Sequence, residues 1–132
     1  MSKYMTFNEI VFKDRDLLIS ALQDIGCKEI GQGENLEMGR YYSDQAPQRA
    51  EIIIPRNTID NYYGDIGFRR SEKGDYTPII DNLDQSHVFN GLFIPRLRAA
   101  YNERVVGKVA ARCRGTIHRA VEGNVVKIKV RY

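Results

Sequence analysis

The chain has 132 residues, a formal net charge of +3, 42% hydrophobic residues and 28% charged residues. This balance is typical of one globular domain, and it excludes collagen-like and strongly disordered chains. A chain of this length buries about two-thirds of the surface that its unfolded form exposes, so a hydrophobic core can stabilise it without a disulfide or a metal ion. We therefore expect no cofactor and no structural metal.

The two cysteines indicate a reducing compartment. Cys27 and Cys113 are too far apart for the Cys-x-x-Cys spacing of a zinc or redox site, and two cysteines are too few for a secreted disulfide scaffold. The chain contains no run of about 18 apolar residues, and its first residues lack the apolar block of a secretory signal. The sequence therefore predicts a cytoplasmic protein with two reduced cysteines and no membrane partner.

A strand and then a helix are predicted in the first part of the chain. Residues 5–12 are rich in Phe, Ile and Val, as strands are. Asp14 precedes the next apolar stripe as an N-cap residue does, and Gly26 follows it as a helix-ending glycine does. The apolar residues between them recur at helical spacing: Leu17, Leu18, Ala21, Leu22 and Ile25. This single stripe predicts a helix that packs on one face of a sheet.

Residues 27–54 contain two weak strand candidates and one strong candidate. Residues 27–30 and 38–42 are short strand candidates, with irregular structure between them and up to residue 47. The β-branched run at residues 50–54, closed by Pro55, predicts a strand.

A glycine pair in this segment resembles a phosphate-binding loop. Gly31 and Gly33 have the required type, but the third glycine and the Lys-Ser/Thr pair of such loops are missing. Glu34 would also repel an anion at the turn that must hold it. We therefore predict a flexible turn that uses the positive φ angles of glycine, and no nucleotide site.

A β-hairpin is predicted next. Residues 64–70 and 75–80 have the composition of two strands, and residues 71–74 have the composition of a turn. Pro78 has no N–H to donate to a neighbouring strand. We therefore expect its strand to lie at an edge of the sheet, or the N–H position of residue 78 to point away from its neighbour.

A long second helix is predicted over residues 90–112. Pro95 either begins its main body or kinks it, because proline fits the first helical position and disrupts the interior. Apolar residues repeat every four positions along one side: Leu97, Tyr101, Val105, Val109 and Cys113. We expect this side to face the core and Gly115 to end the helix.

The chain ends in a second predicted hairpin, with strands at residues 116–121 and 125–132 around Gly123 and Asn124. A two-residue loop there pairs Glu122 with Val125 and collects the apolar residues on one face. The opposite face would carry Thr116, His118, Ala120, Lys127, Lys129 and Arg131. A shift by one residue would mix apolar and cationic side chains on both faces, so this register is favoured.

Together, these elements predict a single α+β domain over residues 1–132. Its order is β-α-β-β-β-α-β-β, with an antiparallel or mixed β-sheet, two helices on one face of the sheet and a C-terminal β-hairpin. An uncovered sheet edge or face in so small a domain would allow a homo-oligomer.

Charge is divided unevenly along the chain. Residues 96–132 hold ten Lys/Arg and two Glu, a local net charge of +8, whereas residues 1–95 hold ten basic and fifteen acidic residues, a net charge of −5. Arg104, Lys108 and Arg112 follow one another at i, i+4 spacing, where like charges repel by about 0.2–0.5 kcal/mol per pair. An anion among them would relieve this repulsion, so the pattern indicates an anionic partner.

Two binding functions and one alternative without a partner follow from this charge. We prefer a non-catalytic interaction or accessory protein that docks an acidic protein or assembly. The alternative is a module that binds RNA or DNA through phosphates; without aromatics on the cationic hairpin face, such binding would depend on shape and salt. Alternatively, the acidic N-terminal part neutralises these cations within the molecule. The candidate binding residues are Arg104, Lys108, Arg112, Lys127, Lys129, Arg131 and His118.

An enzyme is the least favoured function. Asp75, Asp81 and Asp84 could share a magnesium ion, but turns and caps before the second helix explain such residues better. Neither histidine has a metal ligand at a recognised spacing. Cys113 could act as a nucleophile with His118 as its base, but the helical stripe places Cys113 inward. We predict no catalytic residue and no metal site.

The eight tyrosines include two adjacent pairs, Tyr41-Tyr42 and Tyr62-Tyr63. In an extended chain, one ring of each pair faces the core and the other faces solvent or a partner. Exposed tyrosine is a common contact residue, although a half-buried strand position is its more frequent role.

One segment resembles a known family. Asp65-Ile66-Gly67-Phe68, followed by a short glycine-containing turn and Asp75-Tyr76, is similar to the Asp-Ile-Gly-Phe strand and hairpin of an uncharacterised family of unknown function. This family includes the hypothetical chloroplast reading frame thirty-five protein of plastids and cyanobacteria. The helix at residues 14–22, the stretch at 100–102 and the terminal hairpin fall in a similar order, whereas residues 82–87 replace an aromatic-rich turn of the family.

The resemblance implies a compact cytoplasmic accessory protein beside a larger ATPase, and it brings no catalytic residues. Gly67 removes a side chain from one face of its strand, which suits the close approach of another backbone or a bulge. Core packing explains this segment as well as binding does.

Overall fold

The computed structural model describes residues 3–41, 46–113, 117–122 and 125–130. In this part of the chain the elements follow in the order β1 (Tyr4–Thr6), α1 (Arg15–Asp24), β2 (Gly31–Glu37), β3 (Arg49–Ile54), β4 (Ile66–Arg70), β5 (Tyr76–Asp81), α2 (Asn82–His87), a 3₁₀ segment (Val88–Gly91), α3 (Phe93–Cys113), β6 (Ile117–Glu122) and β7 (Val125–Val130). The predicted α+β class is confirmed and the order of strands and helices roughly matches the predicted one, but four strands, and not the predicted three, lie between α1 and α3. The short helix α2 is additional to the predicted elements.

Five strands form one antiparallel sheet in the order β1-β5-β4-β3-β2, and β6 and β7 form a separate antiparallel pair. Phe68 of β4 lies opposite Ile52 of β3 on one side and Pro78 of β5 on the other. The predicted hairpin is β4–β5. Gly74 in its turn has φ +88°, a conformation that glycine adopts without steric cost.

The helices α1 and α3 pack on one face of this sheet. Asp14 is the N-cap of α1, because its side chain accepts a hydrogen bond from the backbone N–H of Leu17, and Gly26 beyond the helix has φ +109°. The α1 prediction is thus confirmed. Buried residues of both helices share one core with β3, β4 and β5: Leu18, Ala21, Leu22, Phe93, Leu97, Ile52, Ile54, Ile66, Phe68, Tyr76 and Ile80.

A smaller core covers the opposite face of the sheet. Its buried residues are Met38, Ala50, Ile53 and Ile79. Gly67 lies beneath Met38, since a Cβ atom at position 67 would lie 2.5 Å from the Met38 sulfur. Gly67 pairs regularly with Ile53 and Ile79, so the strand has no bulge there. The close approach expected at this glycine is therefore made by a side chain, not by another backbone.

The first strand is shorter than predicted. β1 ends at Thr6, because the chain turns after Phe7, where the N–H of Ile10 donates to the Phe7 carbonyl over 3.1 Å. Phe12 rejoins the sheet through one isolated bridge to Tyr76 and is buried. The apolar run of residues 5–12 thus reaches the core through two separate pairings with β5.

The glycine-rich segment is an edge strand and not the predicted turn. β2 pairs with β3, whereas residues 27–30 form no strand. The pairing is irregular between Gln32 and Leu36, where Asn35 has φ 51°. An edge bulge tolerates glycine and asparagine, because the residues there need not follow the regular ladder.

The strand predicted at residues 38–42 is also wrong for the described positions. Residues 38–41 form no strand, and Arg40 makes one isolated bridge to Gly64. Residue 42 lies outside the described part of the chain. This single bridge holds the segment against the loop that precedes β4.

Pro78 lies in an interior strand, because β5 is flanked by β1 and β4. Its carbonyl accepts the N–H of Phe7, so its backbone polar groups face away from β4, just past the end of β1. The edge alternative is therefore wrong. The other alternative holds towards β4, whereas on the opposite side residue 78 faces the chain at Phe7, beyond the last paired residue of β1.

The second long helix begins later than predicted. α3 starts at Phe93, because Phe89 and Asn90 have φ angles of 50° and 56°, which an α-helix cannot accommodate. Pro95 lies in the first turn of α3, where backbone N–H groups have no intrahelical acceptor. Proline is therefore accepted at this position.

The predicted core stripe of α3 is buried at one end only. Leu97 is buried, whereas Tyr101, Val105, Val109 and Cys113 are partly buried. α3 has 21 residues and α1 has 10, so much of α3 extends beyond the helix beside it. None of the described helices is long and apolar enough to cross a lipid bilayer.

The C-terminal hairpin has the predicted register. Val121 lies opposite Val126, and Glu122 lies opposite Val125. Six residues named in the predictions for this end of the chain lie outside the described ranges: Gly115, Thr116, Gly123, Asn124, Arg131 and Tyr132.

Candidate functional site

Two of the three predicted docking cations on α3 are paired with carboxylates of α1. The guanidinium of Arg104 donates to both carboxylate oxygens of Asp24, over 2.8 Å and 2.6 Å. The ammonium of Lys108 donates to Asp14 over 2.6 Å. Arg104, Lys108 and Asp24 line a groove of about 540 Å³. The structure thus joins both cations to the acidic N-terminal part, as the alternative without a partner predicts.

This pairing changes the proton affinities of the partners. The hydrogen bond from Lys108 lowers the pKa of Asp14, and the backbone N–H of Leu17 acts in the same direction. The hydrogen bond from Arg104 lowers the pKa of Asp24, and the same bond raises the pKa of Arg104. All four charged side chains are partly exposed, so water and salt weaken both pairs.

The other candidate cations lie further along the chain. Arg112 is exposed near the end of α3 and takes part in none of the salt bridges among the described residues. Backbone pairing places His118 opposite Lys129, and Ala120 opposite Lys127. Positions 118, 120, 127 and 129 therefore share one face of the hairpin. The predicted binding residue at position 131 lies outside the described residues.

Two further ion pairs stay within the N-terminal part. They join Glu34 to Arg70 at 2.7 Å and Glu37 to Arg40 at 3.6 Å. Of the four salt bridges that the described residues form, only the two from α1 reach the basic C-terminal third. Within the described ranges, ion pairing between the acidic N-terminal part and the basic C-terminal third therefore takes place between α1 and α3.

Asp81 and Asp84 both accept hydrogen bonds from backbone N–H groups. Asp81 is the N-cap of α2 and accepts from the N–H of Leu83 over 2.8 Å. Asp84 is buried and accepts from the N–H groups of Tyr63 and Gly64 over 3.0–3.1 Å. Burial raises the pKa of Asp84, although these hydrogen bonds act in the opposite direction. Within the described ranges, no group of three His, Cys, Asp or Glu side chains could hold a metal ion.

A cluster of tyrosines around one arginine lies on the surface. We name it the Tyr–Arg cluster, and it consists of Tyr41, Tyr62, Tyr63 and Arg56. The ring centre of Tyr41 lies 4.9 Å from that of Tyr62 and 6.0 Å from that of Tyr63. The guanidinium of Arg56 lies 5.5 Å and 5.8 Å from the ring centres of Tyr41 and Tyr62. Tyr41 and Tyr62 are 45% and 44% exposed, so a partner can reach the rings.

Asp65 of the family-like segment supports this cluster. Its carboxylate accepts from the N–H of Gly39 over 2.6 Å and from the N–H of Arg56 over 2.8 Å. It therefore ties the segment before Tyr41 to the segment that carries Arg56. The other residues of Asp65-Ile66-Gly67-Phe68 are buried in the sheet.

The loop that carries Tyr62 and Tyr63 is held by a buried asparagine. Asn61 donates to the carbonyls of Pro55 and Gly64 over 3.0 Å and 3.1 Å, and its side-chain oxygen accepts from the N–H of Ile59 over 3.2 Å. Asn61 has no exposed surface, so these bonds are shielded from water. The loop is thus ordered before any partner binds.

The sequence shows the two tyrosine pairs, but it does not show that Tyr41 contacts Tyr62 and Tyr63. Tyr62 is exposed and Tyr63 is partly buried, but these residues are not in a strand and neither ring packs in a hydrophobic core, so the predicted core-facing ring is wrong for this pair; Tyr42 lies outside the described residues. Tyr41 joins them because its backbone N–H donates to the Tyr63 carbonyl over 2.9 Å. The hydrogen bond between the Tyr41 and Tyr62 side chains raises the pKa of Tyr62. The adjacent tyrosines were the available signal, and the bridging contact between loops was not visible in the sequence.

The remaining reactive side chains have structural surroundings. Burial raises the pKa of the Cys27 thiol to about 12, so the thiol stays protonated near neutral pH. The ring nitrogens of His87 lie 3.1 Å from the Leu83 carbonyl oxygen and 2.7 Å from the Asp60 carbonyl oxygen. His87 therefore links α2 to the loop of the Tyr–Arg cluster. Cys113, which the helical stripe was expected to place inward, is partly buried, and the expectation that it does not act as a nucleophile with His118 stays a prediction.

No protein-family model, no curated protein and no solved structure matches this chain. The similarity of Asp65-Ile66-Gly67-Phe68 to a family therefore stays a prediction from the sequence.

Proposed function

We propose that the protein is a small non-catalytic docking protein that binds an acidic protein partner. The binding region is the basic C-terminal surface, which we define as Arg112, His118, Lys127, Lys129 and Arg131. The observation that carries the proposal is that, among the described residues, only the carboxylates of Asp14 and Asp24 form salt bridges with this third of the chain. A surface with uncompensated positive charge attracts an acidic macromolecule.

The charge imbalance persists after the observed pairing. Residues 96–132 contain ten Lys/Arg. Among the described residues, Arg104 and Lys108 pair with carboxylates of α1. The other eight Lys/Arg of this segment exceed its two acidic residues, Glu103 and Glu122, by six positive charges. Exposed charges act over about 8 Å at physiological salt, so such an excess steers an acidic partner towards this third of the chain.

The proposed surface is narrower than the predicted one, because Arg104 and Lys108 are left out. A partner that used these two cations would first have to replace the carboxylates of Asp24 and Asp14, which already contact them over 2.6–2.8 Å. Those carboxylates would also repel an incoming anion. We therefore assign Arg104 and Lys108 to the attachment of α3 to α1.

An acidic protein suits this surface better than a nucleic acid does. Proteins that bind single strands combine cations with aromatic stacking platforms, and positions 118, 120, 127 and 129 are His, Ala, Lys and Lys. A duplex that reached along α3 would bring phosphates near the carboxylates of Asp14 and Asp24, which lie among the α3 cations.

Fluorescence anisotropy with a labelled poly-glutamate peptide tests the proposal. The variant Lys127→Gln/Lys129→Gln should bind about tenfold more weakly than the wild type, because it loses two charge contacts with the peptide of about 0.7 kcal/mol each. The matched control is Lys13→Gln/Lys28→Gln, which removes the same charge at exposed positions of the N-terminal part. An equal loss in both variants would mean that net charge alone drives binding, and the surface would be wrong.

Two further measurements distinguish the proposed acidic protein partner from a nucleic acid and test the role of Arg104 and Lys108. Removing both ion pairs without a change in net charge, in Asp14→Asn/Asp24→Asn/Arg104→Gln/Lys108→Gln, should leave peptide affinity within about twofold of the wild type, since α1 occupies both cations. A labelled DNA duplex and a single strand of equal length serve as second probes. Tighter binding of either nucleic acid than of the peptide at the same salt, with a steep log–log salt slope, would favour the nucleic-acid alternative. Circular dichroism confirms that each variant is folded.

A further inference from the structure

Arg56 is held in position by its own loop. Its Nε–H donates to the carbonyl of Tyr62 over 2.9 Å, which places the guanidinium beside the rings of Tyr41 and Tyr62. Arg56 takes part in none of the salt bridges that the described residues form. An arginine has five N–H donors in a planar fork, so the bond through Nε leaves its terminal nitrogens for another acceptor. A carboxylate is the acceptor that matches this fork.

The surroundings of Arg56 are both apolar and ordered. The exposed rings of Tyr41 and Tyr62 flank the guanidinium, and tyrosine with arginine is the composition of interface hot spots. Asp65 fixes the backbone of Arg56, and Asn61 fixes the turn that follows. Little conformational entropy is then lost when a ligand binds, which favours affinity.

We propose that the Tyr–Arg cluster binds a single carboxylate of a partner peptide together with a neighbouring aromatic or apolar side chain. The guanidinium of Arg56 receives the carboxylate, and the rings of Tyr41 and Tyr62 contact the apolar neighbour. This site shares no residue with the basic C-terminal surface, so it does not depend on the proposed function.

The charged residues around the Tyr–Arg cluster disfavour a polyanion as its ligand. Arg56 is its one formal cation, and nearby Arg40 already pairs with Glu37. Asp60 and Asp65 belong to the same loop region as Tyr62. A run of phosphates would meet these carboxylates after the first contact, whereas a single carboxylate meets the guanidinium alone. The occupant is therefore a peptide with one acidic residue beside an apolar one.

Nuclear magnetic resonance of the full chain tests the site with three defined probes. They are acetyl-Phe-Glu-Phe-amide, its neutral match acetyl-Phe-Gln-Phe-amide, and inorganic phosphate, each added up to about 10 mM, where a weak isolated site is still observable. The glutamate peptide should shift the Arg56 Nε–H resonance and the backbone amides of Tyr62 and Tyr63. The glutamine peptide and phosphate should shift them at least about fivefold less.

Variants separate direct contact from loop structure. Arg56→Lys keeps the charge but loses the planar fork, and it should weaken binding of the glutamate peptide about tenfold. Arg98→Lys makes the same change at an exposed arginine on α3 and is the matched control, with unchanged binding expected. Tyr41→Leu leaves the guanidinium in place and should weaken binding of the glutamate peptide but not change the small response to phosphate.

Four outcomes would overturn the proposal: no shift with the glutamate peptide, equal shifts with the glutamine peptide, equal shifts with phosphate, or unchanged binding in Arg56→Lys. Amide dispersion and the melting temperature of each variant show whether the loop is still folded. These results are independent of poly-glutamate binding at the basic C-terminal surface, so either proposal can fail alone.

Discussion

Replacing Gly67 with alanine should destabilise the protein by about 1–3 kcal/mol, the usual cost of overpacking a close-packed core. The added Cβ atom would lie 2.5 Å from the sulfur of Met38, 2.9 Å from its terminal methyl group and 2.9 Å from the Cβ atom of Ala50. Carbon atoms attract each other at about 3.5–4.0 Å, so all three distances are repulsive. The end of Met38 can move, because methionine is flexible, but the Cβ of Ala50 moves only with the backbone of β3.

Urea unfolding followed by circular dichroism measures this loss. Gly31→Ala in β2 is the matched control, since a Cβ there would lie 3.6 Å from the Ile53 carbonyl oxygen, an ordinary contact. That substitution should leave stability unchanged or raise it by up to about 1 kcal/mol, because alanine restricts the unfolded chain. For a chain of this length, each kcal/mol corresponds to a shift of roughly 3–5 °C in melting temperature.

A double-mutant cycle identifies the cause. Met38→Ala removes two of the three close contacts, so Gly67→Ala should cost about half as much in that background as in the wild type. Equal costs in both backgrounds would show that Met38 is not the obstacle. A fully stable Gly67→Ala variant would refute the packing explanation for this glycine.

Two further predictions concern the contact between α1 and α3. Asp14→Ala should cost about 1 kcal/mol because it removes the N-cap of α1, whereas Asp14→Asn keeps a capping side chain and should cost less; equal shifts in thermal unfolding would contradict the capping role. Arg104 lowers the pKa of Asp24, so this pair stabilises the fold above the unfolded pKa of about 4, and its contribution is lost as pH falls through the folded pKa. The urea midpoints of the wild type and Asp24→Asn should therefore differ near neutral pH and converge in acid; a difference that persists at about pH 2 would be inconsistent with the ion pair.

Patterns that repeat over a few residues predicted the local structure well. The cap at Asp14 and the apolar stripe after it identified α1, because helical periodicity depends on neighbours three or four positions away. Alternation identified the register of β6 and β7, since a slip of one residue would reverse both faces. The error at β2 had the opposite cause. Its glycines have no strand preference, and pairing with β3 determines their conformation.

The candidate site could be predicted only in part. Sequence spacing placed Arg104 and Lys108 on one helix, but their partners lie 80 and 94 residues away in the chain. The Tyr–Arg cluster likewise joins two loops that the sheet brings together. A pattern of neighbouring residues cannot predict that residues so far apart in the chain lie close together in space.

The sequence alone predicts the α+β class, the caps of α1, both hairpins and the concentration of positive charge near the C-terminus, because all of these depend on composition and on short-range periodicity. Tertiary structure decided which cations are neutralised and which aromatic rings meet a guanidinium. Those outcomes depend on how α1 packs against α3 and on the hydrogen bonds that hold the loops beside β4. Ion pairs and ring contacts act over a few ångströms in space, whatever the separation of the residues along the chain.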